Sequence, residues 1–221
     1  MKHALVIGAS GGIGTAVCDR LVAQRVAVTR LSRSENGFDL TRPDEVLRLL
    51  DRVTGPFDFV LVASGALEIN GSAPEKSMRN LSADAMMDQF ALNAIGPGLV
   101  LSRAHRLLPR KGRSVFAILS ARVGSIGDNR LGGWVSYRAA KAAVNQVTHT
   151  AAIELARTHP EAICVTLHPG TVKTEFTRKY LGRRPAVEAA DAAQNLLNVV
   201  AELSPADTGG FFDWAGKPVP W

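Results

Sequence analysis

Two rhythms of apolar and polar positions alternate along the chain. Short apolar runs of strand length occur at Ala4–Ile7, Val26–Leu31, Phe57–Val62, Ser114–Leu119, Ala162–Leu167 and Gly210–Trp214. Between them, apolar residues recur at helical steps. Ile13, Val17 and Leu21 form one stripe, and Val46, Leu49, Leu50 and Val53 another. Met86 to Ala94 predicts a helix continuing past Pro97 to Leu108, and two further stripes cover Ala142–Leu155 and Ala189–Leu203. Asp39-Leu40 reads as one more strand end turning into a helix, which makes seven strands. Residues 71–82, Gly124–Gly133 and 175–186 are polar and loop-like. Strands alternating with helices predict βαβ units, an α/β fold with a doubly wound, mostly parallel seven-stranded sheet and helices on both faces.

Candidate chemistry falls at the carboxyl ends of these strands, where such sheets bind ligands. Gly8-Ala9-Ser10-Gly11-Gly12-Ile13-Gly14 follows the first strand and opens the first helix, in the spacing G-x-x-x-G-x-G. Glycines there permit a tight turn and let N–H groups at the helix start approach a pyrophosphate. Strand before and helix after are the setting of a dinucleotide site, so the sheet is predicted to be of the Rossmann type. At the end of the second strand stand Ser32 and Arg33, with no carboxylate before Glu35. An acidic residue there would bind the ribose 2′-hydroxyl of NAD, whereas a guanidinium suits the 2′-phosphate of NADP. NADP(H) is preferred, with NAD(H) still possible.

Tyr137 and Lys141 lie four apart in a helical pattern, hence on one face. An ammonium near a phenol favours the phenolate, which would let Tyr137 give and take a proton near neutral pH. Asn93 sits inside an apolar helix, where its amide must be hydrogen-bonded, in a functional or a purely structural role.

Composition changes this picture little. A chain of 221 residues, 46% hydrophobic and 21% charged, suits one globular domain over 1–221. The two cysteines, Cys18 and Cys164, are far apart and read as reduced core residues. The five histidines show no ligand spacing, so no metal is expected. Neither a secretory segment nor a membrane span is visible, and a cytoplasmic location is expected. The net charge of +6 raises nucleic acid as a minor reading. The basic cluster Arg103–Arg113 has no interleaved aromatic and Arg178–Arg184 only Tyr180, short of a stacking platform, so solvated helix and loop faces are the expectation, with no nucleic-acid partner.

Gly8-x-x-x-Gly12-x-Gly14, Asp39-Leu40, Asn93, Ser120, Tyr137-x-x-x-Lys141 and Pro169-Gly170-x-Val172-x-Thr174 occur in this order. Together they resemble the short-chain dehydrogenase/reductase family over essentially the whole chain. The stretch Ser120–Asn129, Gly132-Gly133-Trp134, Ser136-Tyr137-Arg138 and the C-terminal Phe212–Trp221 resemble its C-factor-like subgroup. The resemblance implies hydride transfer between NADPH and a carbonyl or alcohol, of the carbonyl reductase type. Tyr137 would be the general acid/base, Lys141 would lower its pKa and bond the nicotinamide ribose, and a serine would polarise the carbonyl. Asn93 would anchor a proton-relaying water. Asp39 and Leu40 would contact adenine, and Ala63, Ser64, Gly65, Pro169, Gly170, Val172 and Thr174 would also meet the cofactor. A homodimer or homotetramer is implied, formed through the helices carrying Asn93 and Tyr137.

Two departures from the family pattern stand out. Ala63-Ser64 occupies the place of Asn-Ala, and aligning Gly124 puts Ala121 at the place of the polarising serine. Ser120 is the first candidate for that role and Ser125 the reserve. Trp134 and the segment 175–186, a short lid, are expected to shape the substrate pocket. The rival reading is a C-factor-like signalling or scaffold protein that binds cofactor with little turnover.

Overall fold

Six parallel strands make the central sheet in the computed structural model, which describes residues 1–181 and 185–221. In chain order the elements are β1 (His3–Ile7), α1 (Gly12–Ala23), β2 (Ala27–Leu31), α2 (Arg33–Asn36), α3 (Pro43–Leu50), β3 (Phe59–Val62), α4 (Ala83–Phe90) and α5 (Gly96–Leu101). They continue as α6 (Ala104–Leu107), β4 (Ser114–Leu119), α7 (Val135–Leu155), β5 (Ala162–His168), β6 (Val172–Lys173), β7 (Val187–Glu188), α8 (Ala189–Glu202) and β8 (Phe211–Asp213). The order across the sheet is β2-β1-β3-β4-β5-β8, and every neighbouring pair is parallel. This is the doubly wound α/β class expected.

The strand count differs by one from the seven expected. Asp39-Leu40 joins no strand: the Asp39 carboxylate accepts the Thr41 N–H at 2.9 Å and the Thr41 hydroxyl at 2.7 Å, closing a turn. That local bonding competes with a ladder. A small parallel pair, β6 with β7, follows β5 instead and escaped the pattern because each strand has two residues.

Strands β3 and β4 are buried along their whole length, which explains why they read as continuous apolar runs. Side chains alternate between two cores. Val60, Val62, Phe116 and Ile118 face the layer that includes Val46 of α3, Val100 of α5 and Val144 of α7. Phe59, Leu61, Val115, Ala117 and Leu119 face the layer with Val17 and Leu21 of α1 and Leu196 and Val200 of α8. Among the described residues, no helix is long and apolar enough to cross a membrane, and no three metal-ligating side chains cluster.

From β1 the chain runs outward to β2, then returns to lay β3 on the other side of β1. The order reverses there, opening a crevice at the carboxyl ends of β1 and β3. Gly8 and Gly65 stand at those two ends.

The predicted 86–108 helix does pass through Pro97, but in pieces. A π-turn, Ala91–Ile95, joins α4 to α5, and the chain breaks at Ser102–Arg103 before α6. Gly96 opens α5, where a Cβ would stand 2.6 Å from both Cβ and the backbone oxygen of Leu40. Alanine gains about 1 kcal/mol over glycine in a helix, whereas overpacking against backbone costs about 1–3 kcal/mol. The contact should win. Gly96→Ala is expected to lower the stability by up to about 2 kcal/mol, read as a lower urea midpoint in equilibrium unfolding with an unchanged m-value; a more stable variant would show that the Leu40 turn yields freely.

Candidate active site

The floor of the crevice is the glycine turn. Gly8 adopts φ +83°, and a Cβ there would lie 2.6 Å from the Ser64 hydroxyl and 2.8 Å from the Ser64 nitrogen. A Cβ on Gly14 would sit 2.1 Å from the Gly8 oxygen. Only bare backbone lets α1 begin so close above β1. The start of α1 has no side-chain cap and no acidic residue in its first turn. Ser10, Gly11, Gly12 and Ile13 there line a cavity of about 750 Å³, shared with Ala63, Ser64 and Gly65 from the end of β3. An uncapped helix N-terminus opening into a cavity favours an anion. The residues present therefore fit the pyrophosphate of a dinucleotide. On the far wall Pro169, Gly170, Val172 and Thr174 line the same cavity, and Gly12 approaches Thr174 closely enough that a Cβ would meet its methyl at 2.6 Å.

Helix α7 brings Tyr137 and Lys141 to this cavity, both buried. The Lys141 Nζ donates to the Leu119 carbonyl at 2.9 Å and stands 5.7 Å from the centre of the Tyr137 ring. Burial pulls the Lys141 ammonium down to about 8. Burial pushes the Tyr137 phenol the opposite way, well above its ordinary value. The expected lowering of Tyr137 by Lys141 is thus not what this geometry gives, because desolvation opposes the phenolate.

Asn93 lies in the π-turn and is fully buried, outside the cavity wall. Its amide donates to the Ala66 oxygen at 3.1 Å and to the Gln89 side-chain oxygen at 2.7 Å, while its own Oδ1 has no partner among the described residues. A Cβ on Gly65 would come within 2.8 Å of that Oδ1 and 3.6 Å of the Lys141 Nζ, so Gly65 separates the two groups by backbone alone.

Of the serine candidates, Ser120 reaches the cavity wall, but its hydroxyl is buried and without a partner among the described residues. The reserve, Ser125, does not belong to the wall: its buried hydroxyl accepts the Asp128 N–H at 3.1 Å, closing the loop after the 3₁₀ turn at Arg122–Gly124. Arg33 opens α2 on the surface and Leu40 packs in the core, both away from the cavity. Arg30, unnoticed in the sequence, donates to the Ala9 oxygen at 3.1 Å and pairs with Glu35 at 2.9 Å. Trp134, Tyr137, Phe176 and Tyr180 form an aromatic group at the substrate end, with ring centres 5.5–6.5 Å apart. The segment 175–186 contributes Phe176 and Tyr180 to it, while its residues 182–184 lie outside the described ones.

Comparison with known proteins gives the family and the fold. A family model described as enoyl-(acyl carrier protein) reductase matches residues 8–210. The chain is 31% identical over 169 residues to the C-signal of Myxococcus xanthus, covering 76% of this chain and 95% of that one. It is 30% identical over 190 residues to 1-hydroxy-2-glutathionyl-2-methyl-3-butene dehydrogenase of Rhodococcus sp. strain AD45, covering 85% and 80% of the two. An NADP-bound short-chain dehydrogenase/reductase from Burkholderia multivorans shares the fold with a TM-score of 0.80 at 25% identity, over 100% of this chain and 99% of its own. NADPH-bound carbonyl reductase from chicken fatty liver, at 22% identity and TM-score 0.83, is alike in fold over 100% and 94%. The chain belongs to the short-chain dehydrogenase/reductase family of oxidoreductases.

Periodicity gave no sign of what fixes the start of α7. Its N-cap, Trp134, takes a left-handed backbone (φ 52°) and offers no cap of its own. The buried Glu75, 61 residues upstream, accepts the Ser136 N–H at 3.2 Å and the Ser136 hydroxyl, and its backbone oxygen takes the Trp134 N–H. A carboxylate there satisfies helix N–H groups and complements the dipole. Glu75→Ala strands those donors in a buried place and should cost about 1–3 kcal/mol in chemical denaturation. The same variant should lower kcat, because Tyr137 follows Ser136 directly, while leaving NADPH affinity near wild type. An unchanged unfolding midpoint would contradict the capping role.

Proposed function

We propose that this short-chain dehydrogenase/reductase is an NADPH-dependent carbonyl reductase, acting on a small, largely apolar carbonyl compound. The observation that carries the reading is the meeting of Tyr137, Lys141 and the open start of α1 in one cavity. Bound nicotinamide cofactor supplies the hydride. Ser10, Gly11, Gly12 and Ile13 hold its pyrophosphate, and Gly65, Pro169, Gly170, Val172 and Thr174 flank its nicotinamide half. Tyr137, kept protonated by burial, gives its proton to the carbonyl oxygen. Lys141 binds the ribose, and Asn93 with its unpartnered Oδ1 serves the route by which protons return. Trp134, Phe176 and Tyr180 suit an apolar substrate body.

A preference for NADPH is supported at the end of β2. Glu35, the nearest carboxylate, is turned onto Arg30 and so withheld from a ribose 2′-hydroxyl, whereas no ion pair engages Arg33 among the described residues. In this reading residues 1–221 act as one unit with 175–186 as a short lid. Exposed Met87, Ile95, Val147 and Ile153 support pairing of copies through the helices that carry Asn93 and Tyr137. Arg103 and Arg106 share Asp51, which favours a solvated face there over a nucleic-acid surface. Buried free Cys18 and Cys164 accord with a cytoplasmic setting.

The second reading, a C-signal-like signalling protein with little turnover, is favoured by Ala121 standing where a polarising serine is expected. One experiment separates the two. Tyr137→Phe should lose about a thousandfold in NADPH-dependent carbonyl reduction yet bind NADPH like wild type in a fluorescence titration. Wild-type protein that binds NADPH and reduces no carbonyl would move the conclusion to the signalling reading; turnover that survives in the variant would remove Tyr137 from its role.

The pH profile should carry a second mark. Lys141 bears its charge below about pH 8, while Tyr137 keeps its proton well beyond that point. The free-enzyme parameter, kcat/KM for NADPH, should therefore fall above about pH 8, roughly tenfold per pH unit. A profile flat to about pH 10 would mean that Lys141 need not be charged to receive the cofactor.

A further inference from the structure

The reductase reading leaves one place unfilled. A carbonyl oxygen that gains negative charge needs a fixed hydrogen-bond donor beside the proton donor, and Ala121 offers none. Several other donors on this side of the cavity are engaged. Arg122 is paired with Asp128, and the Arg138 guanidinium is spread over the carbonyls of Val123, Gly132 and Gly133. Thr177 bonds the oxygens of Val172 and Thr174.

His168 has no partner at Nδ1 among the described residues, and it stands next to Ser120. It is the last residue of β5 and lines the cavity with Tyr137 and Lys141. The register of β4 and β5 pairs Leu119 with Leu167, and the Ser120 N–H carries the ladder one step further by donating to the Leu167 oxygen at 2.8 Å. Ser120 and His168 are thus side by side on neighbouring strands. Phe116 and Ile118, four and two residues before Ser120, face the α7 layer, as does Cys164 four residues before His168. Alternation puts the Ser120 and His168 side chains on that same face. Ser120 Oγ and His168 Nδ1 are both buried there without a partner among the described residues, as are the Thr166 and Ser114 hydroxyls further back along the same face. Strands about 4.8 Å apart let a change between staggered rotamers join the two.

We propose that the Ser120 hydroxyl donates to His168 Nδ1, and that the Nε2–H fixed in this way donates to the carbonyl oxygen of the substrate. His168 is then a catalytic residue and Ser120 its positioning residue. A neutral imidazole carries one N–H, and the bond made by one nitrogen decides which nitrogen bears it. Burial and the charge of Arg122 push His168 down to about 4, with Asp213 opposing only in part. The ring accordingly stays neutral through the working range and acts as a donor, not as an acid. This inference rests on the reductase reading, for which it names the missing donor.

The test needs a signal independent of turnover as well as kinetics. In the first, ¹⁵N NMR of the imidazole reports the tautomer of His168 in the full-length protein with NADPH. Wild type should show Nε2–H, and Ser120→Ala should lose that preference. For the second, 4-nitrobenzaldehyde and NADPH serve as probe. His168→Phe should lower kcat by about a hundredfold with unchanged NADPH affinity, and His168→Gln, which retains an N–H donor, should recover part of it. Ser120→Ala should cost about tenfold in the wild-type background and nothing further on top of His168→Phe. Adding Ala121→Ser to His168→Phe should restore activity. An Nδ1–H tautomer in wild type, or a His168→Phe enzyme within about threefold of wild type, overturns the proposal. Wild type that shows the Nε2–H tautomer but no turnover supports the pair and sinks the reductase reading alone.

Discussion

Lys141 is an amine enclosed in protein with one hydrogen bond among the described residues, to the Leu119 carbonyl, and the surrounding architecture depends on keeping it there. Burial of an ammonium is unfavourable unless it is paired, and among the described residues no carboxylate forms an ion pair with it. The sign follows from its lowered value. Between about 8, its place in the fold, and the ordinary lysine value of 10.5, the unfolded chain holds more protons. The fold therefore bears the full cost of the charge below about pH 8 and is relieved of it as pH rises toward 10.5. A charge retained at a cost to stability is the usual mark of a working site rather than of a core.

Glycines make room for it. A Cβ on Gly124 would stand 2.8 Å from both the carbonyl carbon and the Cβ of Lys141, so the turn after β4 can lie against α7 only without a side chain. Gly65 does the same between the Lys141 ammonium and the Asn93 amide. Gln89 and Glu75 then hold the two helices from either side, Gln89 through Asn93 and the Leu67 oxygen, Glu75 through the first turn of α7. Tyr137 has little freedom because its neighbours on three elements are fixed by contacts of backbone with backbone or carboxylate.

Local signals in the sequence carried most of the fold. Continuous apolar strands, four-residue helical steps and the glycine turn each depend on neighbours within one element, which is why β1–α1 and the Tyr137–Lys141 face could be read directly. The turn at Asp39 was misread as a strand because an Asx-type bond to Thr41 leaves no trace in hydrophobicity. The π-turn was foreshadowed only by an asparagine where an apolar residue would fit. Glu75, Gln89 and Arg30 escaped notice because each also bonds a group far off in the chain, 61, 22 and 21 residues away respectively. Electrostatic expectations were the weakest. A lysine one helical turn from a tyrosine suggests a lowered phenol, yet enclosure acts on both groups and drives them the other way.

One residue of phase decides the rest of the chemistry. Successive side chains on β4 point to opposite faces, so moving a hydroxyl from position 121 to position 120 transfers it from the rim of the crevice to the layer beneath α7. A serine that has crossed faces has its hydroxyl buried, but it gains a neighbour on β5 that lines the cavity. The parallel register makes that neighbour His168 and nothing else, since Ser120 already bonds the Leu167 backbone. The same alternation that builds two cores thus converts a contact into a relay of one step, from hydroxyl to ring to cavity. On this account Ala121 is an exchange of donors between adjacent strands and not the loss of one.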